Sequence, residues 1–250
     1  MIKELEQLKS THKGIVIPHE HGGWAMISVP FLFGMLAGTP QWSHLLLFIA
    51  WLFFYLASYA FLQALKRSKQ RDHLLKWSAN YGIIALAALA YPLFQKPSLC
   101  YFGIPFVLLL IVNIWHVKHK SERAIVNDLY AILIFSLGGA AAYLFGSGGW
   151  DKTMLMVTLI NFLYFMGTAF FVKTIFRERG NKQWEAAART YHVLILFVPW
   201  ACGYPWMTLP FVIPLIRTFL LAGKQVRPMK AGILEIMGAV QFIVISWIVF

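Results

Sequence analysis

Apolar and polar positions along this chain fall into long blocks rather than into an alternating pattern. No Asp, Glu, Lys or Arg occurs between Glu20 and Lys66, and the turn formers Gly38-Thr39-Pro40 divide that interval into two apolar stretches. A helix needs about 20 mostly apolar residues to cross about 30 Å of hydrocarbon, so the interval predicts two membrane spans. Similar blocks predict spans over residues 77–94, 99–116, 127–145 and 153–176, with polar segments at 66–76, 95–98, 116–123, 146–149 and 177–189 between them. Residues 190–222 would make a helix of about 50 Å, long for one crossing and short for two. Pro199, Pro205, Pro210 and Pro214 interrupt this stretch, and a single crossing would put Lys224, Arg227 and Lys230 opposite the other basic segments. Two short spans turning at Cys202-Gly203-Tyr204-Pro205 satisfy both constraints, and residues 231–250 supply the last span. The expected fold is an all-α polytopic transmembrane bundle of about nine spans, with residues 1–20 as an N-terminal segment and 21–250 as one helical domain.

Composition agrees, since 59% hydrophobic and 13% charged residues, with a mean hydropathy of +0.64, leave too little polar surface for a water-soluble domain. The net charge of +12 is not an electrostatic footprint for nucleic acid, because the basic residues are scattered over short loops rather than gathered on one surface. On this topology twenty of the 22 Lys and Arg lie on one side, and only Lys96 and Lys152 on the other. The positive-inside rule makes the basic side cytoplasmic, so the N-terminus is expected in the cytoplasm and the C-terminus on the extracytoplasmic side. The same loops suit contact with anionic lipid headgroups.

Ionisable groups within spans are costly and mark candidate sites. Asp128, Lys173, Arg217 and Glu235 each fall about one turn inside a span from the cytoplasmic side, in a layer shared with His116 and His192. The layer resembles the floor of a cavity open to the cytoplasm, although headgroup snorkelling and helix-end acids account for such residues singly. Asn113 shares a helix face with His116, and Tyr55, Tyr59 and Gln63 share another. At the first span His19-Glu20-His21-Gly22-Gly23-Trp24 sets two imidazoles and a carboxylate beside two glycines. Alternate histidines bind metal only with ligands from elsewhere, so no metal site is assigned and the string reads as a hydrogen-bonded or anion-binding mouth. No cofactor motif is present: phosphate loop, dinucleotide fingerprint, nucleophile elbow and HExxH helix are all missing.

The strings His19-Glu20-His21-Gly22-Gly23-Trp24-Ala25, Glu122-Arg123-Ala124-Ile125-Val126-Asn127-Asp128 and Gly167-Thr168-Ala169 resemble those of the bacterial YwiC-like membrane protein family. More distantly the chain is similar to the UbiA superfamily of intramembrane prenyltransferases, which have nine helices and a cytoplasm-facing cavity. Those enzymes hold Mg²⁺ and a prenyl diphosphate on two aspartate-rich motifs. The corresponding stretches here, residues 62–70 and 173–177, lack carboxylates and carry Lys66, Arg67, Lys69, Lys173 and Arg177. The resemblance therefore implies direct pairing of cations with an anionic head rather than Mg²⁺-mediated binding.

The resulting expectation is a UbiA-like enzyme or lipid-binding protein for a prenyl or other amphiphilic anionic ligand. His21, Asp128 and His192 are its candidate acid/base or orienting groups. His19, Glu20, Gln63, Lys66, Arg71, Asn113, His116, Asn127, Lys173, Arg177 and Arg217 are its candidate substrate contacts. Small-solute or ion transport, and assembly into a larger membrane complex, are the alternatives.

Overall fold

The computed structural model describes residues 14–18, 21–119, 125–146 and 149–250, with only the backbone of His21. Within them the chain forms α1 (His21–Ala37), α2 (His44–Lys66), α3 (Arg71–Gln95), α4 (Gly103–Lys118), α5 (Ile125–Gly146) and α6 (Lys152–Ile175). It continues through α7 (Lys182–Leu194), α8 (Val198–Ala201), α9 (Leu209–Leu221) and α10 (Pro228–Val249). Turns of 3₁₀ helix, Ser68–Gln70, Pro97–Phe102 and Pro205–Thr208, precede α3, α4 and α9. No strand occurs among the described residues, as the block pattern requires.

Among the described residues six stretches are long and apolar enough to cross a membrane, and Gly22–Ala37 and Pro205–Leu221 are shorter apolar ones. Pro205–Leu221 adds a 3₁₀ turn to α9 and reaches about 28 Å, close to the hydrocarbon thickness. Of the two short spans expected over residues 190–222, the second is Pro205–Leu221, whereas the first is divided between the end of α7 and the four-residue α8; the turn falls where expected, with Gly203 at φ +83° leading into Pro205. One boundary differs. Residues 177–189, read from sequence as a polar loop, contain most of α7, whose buried positions Glu185, Ala188 and His192 lie at i, i+3 and i+7 on one face. The other face is polar, so no apolar block announces the helix. Asn181 caps it, its Oδ1 accepting from Gln183 N at 3.1 Å.

The centre of the bundle is α5 and α6, with 61% of each apolar window buried, against 17–22% for the other four full-length spans. α1 lies against α5 with the two backbones in contact. A Cβ on Gly34 would strike the carbonyl of Gly139, and one on Gly139 would stand 2.5 Å from the carbonyl oxygen of Pro30. Only glycines permit that approach, which replaces side-chain interdigitation by direct backbone packing. The indole of Trp51 on α2 fits over Gly138 and donates to the Ile27 carbonyl at 3.2 Å, close to Pro30 in the interior of α1. At the end opposite the basic loops, His44 is fully enclosed. Its Nδ1 accepts from Gln41 N at 3.0 Å, and its Nε2 lies 3.1 Å from the Ala142 carbonyl, joining the α1–α2 turn to α5. Asp151 caps α6 at that end, and the Met154 N–H that it accepts holds its carboxyl below the usual carboxylate range.

Candidate functional site

The polar residues of the basic end separate into pairs, arranged around α6. Lys173, near the end of this helix, places Nζ 2.8 Å from Asp128 Oδ2 on α5; its side chain is 8% exposed and that of Asp128 28%. Tyr164, Thr168 and Phe171 recur at i, i+4 and i+7, about half a turn away from Lys173, and face α9 and α10. On that second face Arg217 Nη1 donates to Glu235 Oε1 at 2.6 Å, while the guanidinium lies over the Phe171 ring, 4.2 Å from its centroid. Both charges are largely out of solvent, at 7% and 15% exposure. Each ion needs the other, because an unpaired charge at this depth carries a desolvation cost of several kcal/mol.

His192 joins the second group through Thr218, the residue after Arg217. Its Nδ1 lies 2.8 Å from the Ala188 carbonyl one turn back, and its Nε2 3.2 Å from Thr218 Oγ1, which itself donates to the Pro214 carbonyl. With Nδ1 as the donor, Nε2 can only share the single threonine proton with the Pro214 carbonyl, and the two contacts hold the imidazole in one orientation. Gly167 makes room for the ring: a Cβ there would stand 3.0 Å from His192 Nε2. Below this group Glu185 is buried between Lys182, at 3.1 Å, and Arg189, at 3.8 Å, against the backbone of Gly223. Gly223 sits at φ +79°, so the turn after α9 and the carboxylate under it both require glycine.

The remaining sequence-derived candidates lie elsewhere. His116 is buried on α4 with its ring 6.3 Å from Tyr130 on α5, and Asn113 donates back to the Leu109 carbonyl of its own helix at 2.9 Å. Gln63 is half-buried on α2; Lys66, Arg71 and Arg177 are exposed at helix ends on the basic side, and Asn127 is half-buried beside Asp128. His19 and Glu20 fall outside the described residues, and His21 begins α1. Just beyond, Trp24 meets Tyr55 edge-on at 6.3 Å, and a Cβ on Gly23 would stand 2.5 Å from the Tyr55 hydroxyl. Gly23 thus seats the start of α1 against Tyr55 of α2. Among the described residues no three His, Cys, Asp or Glu side chains gather as metal ligands.

Sequence reasoning missed Tyr164, Thr168, Glu185 and Thr218. Thr168 stands within the Gly167-Thr168-Ala169 string, and Tyr164 one turn before it, which is the signal that was available. Glu185 and Thr218 have none beyond their neighbours, since partners on four different helices are invisible to spacing along one.

Comparison with known proteins supplies the wider context. The model of the family described as YwiC-like protein matches residues 17–143. YwiC of Bacillus subtilis (strain 168) is 36% identical over 230 residues, covering 92% of this chain and 96% of that protein. A protein of Haemophilus influenzae is 33% identical over 221 residues, covering 88% of this chain and 92% of its own length. No solved structure matches.

Proposed function

This chain belongs to the YwiC-like protein family, and from the arrangement of its buried charges we propose that it accepts an amphiphilic anionic molecule from the cytoplasmic leaflet, as a UbiA-like intramembrane enzyme or lipid-binding protein. The observation that carries the reading is the Lys173–Asp128 pair, in which an enclosed ammonium is balanced by a carboxylate still partly open to solvent. An incoming phosphate or carboxylate head can take the place of Asp128 on Lys173, since charge-assisted contacts to either anion are comparable in strength. The displaced carboxylate then becomes a proton acceptor at the mouth. Lys66, Arg71 and Arg177, exposed on the basic side, supply the field that draws an anionic head inward. His21 and His192 are the further acid/base or orienting groups of this scheme, with His19, Glu20, Gln63, Asn113, His116 and Asn127 as proposed contacts for the rest of the molecule. Arg217, on the opposite face of α6, offers a second seat for an anionic head.

Prenyl diphosphates, presented to the detergent-purified protein with Mg²⁺ or with chelator, test the reading by thermal stabilisation, because a ligand bound only to the folded state raises its melting temperature. Stabilisation that is independent of Mg²⁺ and lost in Lys173→Gln supports it. Stabilisation only with Mg²⁺ would assign the head to carboxylates instead, and no shift with any amphiphile would remove the proposal. The interrupted α8–α9 region favours a second reading as a small-solute or ion transporter, which requires flux across proteoliposomes.

A further inference from the structure

Arg217 uses only one corner of its guanidinium within the protein. Nη1 reaches Glu235, whereas Nε and Nη2 are buried without an acceptor. The Nε–Nη2 edge is a planar fork that matches two oxygens of one carboxylate, phosphate or sulfonate, and Phe171 covers one face of the group. Beside it the hydroxyls of Tyr164 and Thr168, both buried, lie close to Glu235 without completing a hydrogen bond. Gly238 keeps this space clear, since a Cβ there would stand 3.0 Å from the Tyr164 hydroxyl and 3.7 Å from Arg217 Nη1. Buried donors that find no acceptor within the protein call for one from outside it.

Charge decides what form the acceptor takes. Arg217 already balances Glu235, and an additional anion would leave one negative charge uncompensated in a low-dielectric site. Among the described residues, Glu235 is met by Arg217 from α9 and by the Tyr164 and Thr168 hydroxyls from α6, with His192 of α7 held nearby through Thr218, and Arg217 is the cation paired with it. Trp24, Ala25 and Val29 of α1 line an apolar pocket with Ile236 and Ala239 of α10, and the Asp128–Lys173 pair lies on the opposite face of α6. We propose that the Nε–Nη2 edge of Arg217 binds the oxyanion head of an amphiphile, and that Glu235 takes up one proton from the cytoplasmic side as the head binds. The proton balances the ligand's charge, and the neutral carboxyl can donate to Thr168 or Tyr164. The inference rests on the amphiphile reading above and fixes where its head lies.

The test uses 1-decanesulfonate, which stays a monoanion throughout, with the full chain in nanodiscs between about pH 5.5 and 8, so any pH dependence belongs to the protein. Binding to the native protein is expected to be tightest at the acid end and to weaken as pH rises, approaching tenfold per unit where one full proton is taken up. Glu235→Gln should bind more tightly and without pH dependence, and Arg217→Gln should lose binding at least tenfold. Should Arg217→Gln not fold, Tyr164→Phe with Thr168→Val should weaken binding severalfold while the pH dependence persists. Methanesulfonate separates the sources: weak binding of it supports a membrane amphiphile, and equal binding overturns that part of the proposal in favour of a free anion. Decanesulfonate binding that Lys173→Gln abolishes and Arg217→Gln leaves intact would overturn this inference while sparing the earlier reading. Absence of binding to the native protein would overturn both.

Discussion

The α2–α3 hairpin and the α6 neighbourhood are both helical and apolar, yet they are held by different means. In the hairpin the two helices pack mainly on each other, through Ala60, Ala64 and Ala85, the Ser78 hydroxyl on the Ala57 carbonyl and the Phe53–Tyr81 contact. Its outer surface consists of residues such as Ile83 and Leu86, more than half exposed, which suit lipid. Around α6 the contacts are enclosed and include two ion pairs, one from α6 to α5 and one between α9 and α10 on its opposite side. Lipid solvates an apolar side chain as well as protein does, so the first region can tolerate change on most of its surface, whereas the second has groups that no lipid tail can satisfy.

The difference is sharpest for Arg217→Gln, which leaves Glu235 as an unpartnered buried carboxylate. Loss of one member of a buried pair costs about 3–5 kcal/mol, so thermal unfolding in detergent should shift strongly downward, with partial recovery in Arg217→Gln/Glu235→Gln. Gly139→Leu is next: it forces the α1 and α5 backbones apart, and overpacking of this kind costs about 1–3 kcal/mol, read as a lower melting temperature with increased protease cleavage near α1. Ile83→Ala should change the midpoint least, within the equivalent of about 0.5 kcal/mol, because its side chain faces outward. A large effect at Ile83 would show the hairpin surface to be a protein contact and would erase the contrast.

The same distinction explains what the amino-acid pattern could reveal. Spans are legible because crossing hydrocarbon demands a minimum run of apolar residues, and the glycine turns at residue 38 and residue 203 interrupt those runs visibly. The layer of Asp128, Lys173, Arg217 and Glu235 was legible as a depth, since position within a span can be counted from its end. Its division into two pairs was not, because facing direction depends on helix rotation and apolar periodicity carries little information where lipid and protein are equally apolar. α7 escaped for the opposite reason: its charged face makes it look like a loop. His44, on the side with few polar residues, was passed over although Gln41 three positions earlier places a backbone N–H within its reach.

The backbone contact between α1 and α5 also fixes an order of events. α1 packs on α5, α6 and α10 and only slightly on α2, so its main partners are made after it. During synthesis the α2–α3 hairpin can close as soon as both helices are in the bilayer, while α1, short and carrying Pro30 in its interior, has to wait beside it for a glycine more than a hundred residues downstream. Among the described helices, the earliest in the sequence is thus one of the last to be locked, when most of the chain is in place.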